Sequence, residues 1–202
     1  MERLFCLAAG MAFGNFLTAE VVARRFAGKG AAEVGSGNPG MASVAAGLGL
    51  RPGLLVLAGD LLKTLAACML CAWLFPQLGR VGVLWAGLGC CLGHDYPVWR
   101  RFRGGKGVAV SCAALVLASP LYGTAACLAG LAVVLLTGWL SVGAVVIPLA
   151  FILPALLVHG AEAAFLAAVF AGLSVLSFRR DLLMVARGEG KRGRLWLFQG
   201  RK

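Results

Sequence analysis

The sequence predicts an all-α integral membrane protein with about seven transmembrane helices, and three observations support this fold class. Apolar residues make up 60% of the 202 residues and charged residues only 13%, whereas soluble domains are about 45–50% apolar and about 25% charged. Residues 53–177 consist of nearly continuous apolar runs, and most lysines and arginines lie in three segments between or beside them. The composition excludes an ordinary soluble core and a disordered chain, which has low hydrophobicity.

The apolar residues form seven runs, and each run predicts one helix. A span needs roughly 20 apolar residues, so the 11 residues of Val108–Ala118 are short, and a five-span arrangement that fuses this run with its neighbour is the alternative. A secretory signal peptide is the alternative for the first run, although Arg24 and Arg25 directly after it favour a retained span. The runs are 4–22, 54–75, 81–92, Val108–Ala118, 121–139, 142–158 and 161–176.

The basic residues predict the orientation in the membrane. Of the nineteen lysines and arginines, four lie in residues 24–51, four in 100–106 and eight in 179–202. Cytoplasmic loops carry such an excess of basic residues. Two runs separate the first segment from the second, and four separate the second from the third. Because an even number of crossings returns the chain to the same side, all three segments can face the cytoplasm. We therefore expect the N-terminus outside and the C-terminus inside. The net charge of +11 is explained by this topology and by contact with anionic lipid, without a nucleic-acid partner.

A glycine-rich loop, GSGNPG, occupies residues 35–40 on the basic face. It matches the dinucleotide pattern G-x-G-x-x-G, but that fingerprint requires a strand before it and a βαβ unit around it. Pro39 also removes a backbone donor. The pattern therefore indicates either a nest of backbone N–H groups that binds an anion or a flexible connector. No linker or repeat interrupts the sequence, which predicts a single domain over residues 1–202.

A second glycine-rich loop, RGGKG, occupies residues 103–107. It lacks the spacing of a P-loop and the Ser or Thr that would follow the lysine. Three glycines around Lys106 would still let the backbone and the ammonium group approach a phosphate together. A basic anchor beside the membrane is the alternative. Two such loops on one membrane face predict a phosphate-handling site near the cytoplasmic interface.

Other polar residues offer less chemistry. Asp60 and Lys63 share one face of the second span at i, i+3, and we expect them to neutralise each other. His94, at the end of the third span, is either a ligand or a hydrogen-bonding residue at the interface, and His159 is expected to have no role. All seven cysteines lie inside apolar runs, which favours packing over zinc or disulfides. We expect no metal and no cofactor.

Four motifs in order, GSGNPG, GDLLK, GHDYPVWRRFRGGKGVAVS and ARGEGK, resemble those of the acyl-phosphate:glycerol-3-phosphate acyltransferases of the PlsY type. The likeness covers almost the whole chain and is most specific over residues 93–109. It implies a multi-pass protein of the bacterial inner membrane with a cytoplasmic active face. It further implies transfer of an acyl chain from acyl phosphate to glycerol 3-phosphate, which forms lysophosphatidate in phospholipid synthesis, without a cofactor or metal.

The resemblance also implies a set of site residues. Lys106 and the loop glycines would hold a phosphoryl group, while Ser36 and Asn38 would orient the acceptor hydroxyl or the acyl carbonyl. The proton would pass to the phosphate of the donor. Glu189 matches the glutamate of the last motif. The implied catalytic residues are Ser36, Asn38 and Lys106, and the implied substrate-binding residues are Gly35, Gly37, Gly40, His94, Gly104, Gly105, Gly107 and Ser141.

The chain departs from the family at positions expected to bind phosphate. Ala46 replaces an arginine, and Phe178 and Asp181 stand where a histidine and an asparagine are usual. Loss of a buried phosphate-binding arginine typically costs about 2–5 kcal/mol, unless Arg51, Arg179 or Arg180 compensates. A second hypothesis is therefore a relative that keeps the scaffold but has lost or changed its substrate. A third hypothesis is a small anion transporter, which would need polar residues along a path through several spans. Only Asp60 and Lys63 lie deep within the predicted spans, which argues against such a path.

Overall fold

The computed structural model describes residues 1–189, and every regular element in that range is helical. The predicted all-α class is confirmed. Short 3₁₀ turns lie at Ala31–Glu33, Pro76–Leu78 and Val98–Arg100. The α-helices of this range are α1 (Glu2–Gly14), α2 (Thr18–Ala27), α3 (Met41–Leu48), α4 (Leu50–Leu74), α5 (Gly79–Asp95), α6 (Val108–Ala118), α7 (Pro120–Thr137), α8 (Leu140–His159) and α9 (Ala161–Ala186).

Five segments within the described residues are long and apolar enough to cross a membrane. They are Glu2–Ala27, which contains α1 and α2, and the helices α4, α7, α8 and α9. Helices α5 and α6 are shorter, with 17 and 11 residues. Each predicted run thus contains a helix, whereas the number of seven crossings and the orientation stay predictions. Five of the eight basic residues of the third charged segment lie outside the described residues, namely Lys191, Arg192, Arg194, Arg201 and Lys202.

The first apolar run, which the sequence predicts as one span over residues 4–22, contains a break. Helix α1 ends at Gly14 and α2 begins at Thr18. At the break, the side-chain amide of Asn15 donates to the Met11 carbonyl at 2.8 Å, which competes with continued helical bonding. Helix α2 then extends through Arg24 and Arg25, residues expected only to flank the span.

The chain divides into two compact units. The first, Met1–Ala118, contains α1 to α6, and the second begins at Ser119 and contains α7 to α9. Both glycine-rich loops belong to the first unit. Within the second unit, Gly130 of α7 and Gly143 of α8 leave room for close packing, because a Cβ on Gly143 would lie 2.6 Å from the Gly130 carbonyl oxygen. The single domain over the whole chain stays a prediction.

Helices α1 and α5 pack backbone against backbone in the first unit. A Cβ on Gly10 would overlap the Ala86 carbonyl oxygen, and a Cβ on Gly89 would overlap the Leu7 carbonyl oxygen. Each helix carries the small-xxx-small spacing that permits close approach of membrane helices. Because this interface carries the C-terminal end of α5, it also fixes the position of the second loop. The glycines of the two motifs are Gly10, Gly14, Gly89 and Gly93.

Replacement of Gly10 by leucine is expected to disrupt this interface. The new side chain would meet the backbone of α5, which cannot give way as a side chain could, so we expect a loss of stability of about 2 kcal/mol or more. Gly172→Leu is the matched control, since a Cβ there meets no atom of the described residues within 4 Å. Thermal denaturation in detergent measures the difference. Equal melting temperatures for the two variants would contradict the close packing.

Candidate active site

A buried charged cluster lies between α4 and α5. The ammonium group of Lys63 is 2.9 Å from Asp60 Oδ1, 2.9 Å from His94 Nδ1 and 2.9 Å from the Phe16 carbonyl oxygen. The side chains of Asp60, Lys63 and His94 are each at most 5% exposed. The expected pairing of Asp60 with Lys63 is confirmed. The contact between Lys63 and His94 was not predicted, because these two residues are 31 positions apart in the sequence.

The cluster connects further helices through Asp60 and its neighbours. Thr18, at the start of α2, has its hydroxyl 3.4 Å from Asp60 Oδ1. The Thr64 hydroxyl donates to the Asp60 carbonyl at 2.7 Å and lies 3.6 Å from Cys90 Sγ. A buried charge is tolerated only when polar partners satisfy it. Thr18 at Asp60 Oδ1 and the Phe16 carbonyl at Lys63 Nζ are such partners, whereas the bonds of Thr64 do not reach a charged atom.

Residues 103–107, hereafter the lysine loop, are fixed to the C-terminal end of α5. The Gly104 amide donates to the Asp95 carbonyl at 2.9 Å, and the Gly105 amide donates to the His94 carbonyl at 3.0 Å. Both amides are therefore engaged within the protein. The last carbonyl groups of a helix have no partner within the helix and need donors from elsewhere. At the end of α5, Gly104 and Gly105 supply these donors, so their N–H groups are not the ones that would bind a phosphate.

The glycines of the lysine loop permit its contact with α5. A Cβ on Gly104 would overlap the His94 carbonyl oxygen, and a Cβ on Gly105 would overlap His94 Nε2. Gly107 has a φ of +61°, and a Cβ there would lie 2.9 Å from Asp95 Oδ1. Any larger residue would lift the loop from the helix. His94 is thus the main surface on which the lysine loop rests.

Lys106 lies two residues before helix α6, which begins at Val108, and is half-buried. The carbonyl of Gly107 accepts the first hydrogen bonds of that helix, from the Ser111 amide at 2.8 Å and the Ser111 hydroxyl at 2.7 Å. The first N–H groups of a helix lack intrahelical partners and carry partial positive charge. Lys106 therefore precedes the positive end of α6 by two residues, and its positive charge and this helix end both favour an anion.

Residues 35–40, hereafter the serine loop, are stabilised from within. The Ser43 hydroxyl accepts from the Ser36 amide at 3.0 Å and donates to the Val34 carbonyl at 3.1 Å. The Gly37 amide also donates to Val34, at 3.0 Å. Gly35 and Gly37 adopt positive φ angles of +58° and +78°. The amides of Ser36 and Gly37 are therefore engaged, and the predicted anion nest does not include them.

The side chains of the serine loop are more accessible than its amides. Ser36 is exposed, whereas Asn38 and Gly40 are half-buried. Helix α3 starts at Met41 after Gly40, and no side chain in the described part of the chain caps it. The geometry therefore leaves the first amides of α3, rather than the turn between Gly35 and Gly37, as the donors for an anion at this loop.

Glu20 on α2 connects the segments that lead into both loops. Its carboxylate accepts from the Ala31 amide at 3.0 Å, before the serine loop, and lies 3.4 Å from Arg100 Nη1, before the lysine loop. It also pairs with Arg24 at 2.9 Å. Glu20 is not among the site residues predicted from the sequence. Its signal in the sequence was an acidic residue directly before the first basic segment, and two of its partners, Ala31 and Arg100, are distant in sequence.

Asn15, between α1 and α2, fixes the turn that precedes the lysine loop. Its side-chain oxygen accepts from the Val98 amide at 2.9 Å, and its carbonyl accepts from the Trp99 indole at 2.8 Å. The following residues, Arg101 and Phe102, have φ angles of +53° and +61°, which are uncommon for residues other than glycine. The turn therefore holds a strained backbone directly before the lysine loop.

The remaining predicted residues lie elsewhere. Ser141 is buried in the first turn of α8, in the second unit, and the role implied for it stays a prediction. Glu189 is exposed at the last described position. Of the departures from the family, Ala46 is exposed on α3 and Phe178 is buried in α9. Within residues 1–189, no three His, Cys, Asp or Glu residues come together to hold a metal.

Comparison with known proteins identifies the family. The family model described as glycerol-3-phosphate acyltransferase matches residues 4–188. The chain belongs to the glycerol-3-phosphate acyltransferase family. The resemblance seen in the motifs is thereby confirmed, including its extent over nearly the whole chain.

Curated members of the glycerol-3-phosphate acyltransferase family are similar over most of their length. Glycerol-3-phosphate acyltransferase 1 of Lactobacillus acidophilus is 37% identical over 195 residues, which cover 95% of this chain and 92% of that protein. The protein of the same name from Lactobacillus johnsonii is 35% identical over 192 residues, with coverage of 95% and 93%. This extent shows that both loops and both units fall within the shared region.

Solved structures of the family share the fold. The crystal structure of PlsY (YgiH), an integral membrane glycerol 3-phosphate acyltransferase, in its glycerol 3-phosphate form has a TM-score of 0.84 and 28% identity. The form with lysophosphatidic acid has a TM-score of 0.83 and 27% identity. Each comparison covers 98% of this chain and 100% of the other. The chain is therefore a multi-pass membrane protein of the PlsY fold.

Proposed function

We propose that the protein transfers an acyl chain from acyl phosphate to glycerol 3-phosphate and releases lysophosphatidate and inorganic phosphate. The relatives carry the name of this enzyme, and the solved relatives hold glycerol 3-phosphate and lysophosphatidic acid. The reaction serves phospholipid synthesis in the bacterial inner membrane, with the active site on the cytoplasmic face. The partners are the two substrates and the lipid bilayer, with no nucleic acid, metal or cofactor.

The observation that carries the proposal is the position of Lys106. The lysine follows two glycines that are fixed to α5, and it lies two residues before the first turn of α6. A helix N-terminus together with a nearby ammonium group is suited to a phosphate dianion. Because the protein is embedded in the membrane, a substrate with an acyl chain can reach it from the lipid. A phosphate site at the lysine loop then suits a substrate that carries both an acyl chain and a phosphate.

The mechanism needs no covalent enzyme intermediate. The acceptor hydroxyl attacks the acyl carbonyl, the new ester C–O bond forms, and the bond from carbonyl carbon to phosphate oxygen breaks. The leaving phosphate takes the proton of the hydroxyl. Lys106 stabilises the charge that develops on the phosphate, and Ser36 and Asn38 orient the hydroxyl or the carbonyl. Positioning and electrostatic stabilisation of this kind provide much of the rate in many enzymes.

Product formation with alternative donors tests the proposal. Purified protein in lipid receives radiolabelled glycerol 3-phosphate with either an acyl phosphate or an acyl thioester of the same chain length. We expect labelled lysophosphatidate only with the acyl phosphate, and much less of it from Ser36→Ala. Product with the thioester alone, or none from folded and monodisperse protein, would contradict the proposed donor or the proposed activity.

A second candidate function is acyl transfer to a different phosphorylated acceptor. The observation that favours it is the pair of departures from the family, Ala46 on α3 and Phe178 on α9, where an arginine and a histidine are usual. The methyl side chain of Ala46 carries no charge, so this position offers no cation to an acceptor phosphate. The two candidates differ in what an arginine at this position would do.

Substitution of Ala46 by arginine separates the two candidates. If the acceptor site lacks only this cation, kcat/KM for glycerol 3-phosphate rises by about 30-fold or more, equivalent to the lower value of roughly 2 kcal/mol for a charged phosphate contact. Ala42→Arg, one turn earlier on the same exposed part of α3, is the control. Normal activity in the unaltered protein, unchanged by Ala46→Arg, would refute the second candidate.

A further inference from the structure

The proposed reaction leaves the buried pair of Asp60 and Lys63 without a role. Neither residue belongs to a glycine-rich loop, and both are nearly inaccessible. Two ionised groups are costly to bury, and apolar residues of similar volume are often at least as stable. Stability alone therefore gives a weak account of this pair, and the contact of Lys63 with His94 indicates what else the pair can do.

Lys63 determines which nitrogen of His94 carries the proton. An ammonium group only donates hydrogen bonds, so His94 Nδ1, at 2.9 Å from Lys63 Nζ, must accept. A neutral imidazole with an accepting Nδ1 carries its proton on Nε2. The other groups that face Nδ1 agree with this state, since Asp60 Oδ1 lies at 3.7 Å and is itself paired with Lys63.

The protonated side of His94 faces the lysine loop. Nε2 lies where a Cβ of Gly105 would be placed, so the ring is in contact with the residue before Lys106. The His94 backbone carbonyl accepts from the Gly105 amide at 3.0 Å. A continuous series of contacts thus runs from Lys63 through the His94 ring and backbone to Gly105, next to the lysine that the proposed mechanism uses.

We propose that Asp60 and Lys63 are positioning residues that hold His94 in its Nε2-protonated form and thereby place the lysine loop for phosphoryl binding. The inference rests on the proposed function of Lys106 and deepens it. Asp60 neutralises Lys63 and orients it, Lys63 donates to His94, and His94 supports Gly105. Neither Asp60 nor Lys63 touches substrate, so they affect the reaction only through His94.

The test compares a neutral double variant with a control on the same helix. Asp60→Asn combined with Lys63→Met removes both charges together, which avoids an unpaired buried charge, and it removes the donor to His94. A shift of the loop by about 1 Å is expected to lower kcat about 100-fold, with a smaller change in KM. Thr64→Val, which loses buried hydrogen bonds that do not reach His94, is expected to keep kcat near that of the unaltered protein.

A spectroscopic readout detects the proposed state of His94 directly. The chain contains only two histidines, so nitrogen NMR of isotope-labelled histidine gives two sets of signals, and His159→Gln assigns them. We expect a single tautomer at His94, with Nε2 protonated. In the double variant, the signals should shift towards a mixture of tautomers because the donor to Nδ1 is gone.

The outcomes separate this inference from the proposed function. Loss of activity in Lys106→Met, together with near-normal kcat or an unchanged His94 spectrum in the folded double variant, would overturn the positioning role alone. Full activity in Lys106→Met would overturn the proposed function itself. A reduced kcat in the double variant with a changed His94 spectrum, and neither effect in Thr64→Val, is the result that the inference requires.

Discussion

Replacement of Lys106 by methionine is expected to reduce kcat/KM for lysophosphatidate formation by at least about 100-fold, the usual effect of removing one group that stabilises developing charge. Methionine keeps the length and the apolar part of the side chain but removes its charge. The leaving phosphate would then meet only the first amides of α6. Because Lys106 is half-buried, solvent would replace its charge poorly.

The control for Lys106→Met is Arg103→Met in the same loop. It removes the same formal charge, but Arg103 is exposed, and exposed charges contribute little through solvent. Steady-state kinetics of both variants in the same lipid measures the difference. If the two variants lose activity equally, the effect is one of net charge on the basic face, and Lys106 has no specific role.

Replacement of Gly105 by alanine is expected to cost about as much as the loss of Lys106, roughly 100-fold in kcat. The added Cβ would overlap His94 Nε2, so either the ring or the loop must move. Lys106 is the next residue and would move with the loop. The effect is purely geometric, since alanine brings no charge and no new hydrogen-bonding group.

Gly172→Ala is the matched control for Gly105→Ala, because within residues 1–189 a Cβ at Gly172 meets nothing closer than 4 Å. We expect this variant to retain its activity. Kinetics and thermal denaturation are measured together for both variants. Near-normal kcat in a folded Gly105→Ala protein would show that the contact with His94 does not position the loop.

The helices could be predicted from the sequence because apolar runs are determined locally. Val108–Ala118 has the same bounds in the sequence and in the structure. The break at Gly160 between α8 and α9 also follows from the sequence, whereas Ser141, which follows the fifth run in the sequence, lies within the first turn of α8, and α7 ends at Gly138 instead. The prediction of one continuous helix for the first run was wrong, because the break depends on Asn15, whose side chain forms hydrogen bonds with both Met11 and Val98. The second of these contacts is 83 residues distant and leaves no local pattern.

The candidate site could be predicted only in part. The residue types of both loops pointed to phosphate, but which amides remain available depends on tertiary contacts. Gly104 and Gly105 donate to α5, and Ser36 donates to Ser43, so the open donors shift to the starts of α6 and α3. The connection of Lys63 to His94 and the position of Glu20 likewise depend on helix packing, which spacing in the sequence does not show.

The close packing of α1 and α5 left a signal that the sequence analysis did not use. Gly10 and Gly14 form one GxxxG motif, and Gly89 and Gly93 form another, a spacing typical of interacting membrane helices. This pair of motifs would have predicted that the first and third spans touch. It would also have placed His94, one residue after Gly93, near the break after α1.

The most direct test of the account is a simultaneous measurement of lysophosphatidate and inorganic phosphate from purified protein in lipid, supplied with acyl phosphate and glycerol 3-phosphate. The account predicts that both products appear in equal amounts, that both require glycerol 3-phosphate, and that both are lost in Lys106→Met. Phosphate release without lysophosphatidate, or no product from folded and monodisperse protein, would contradict it.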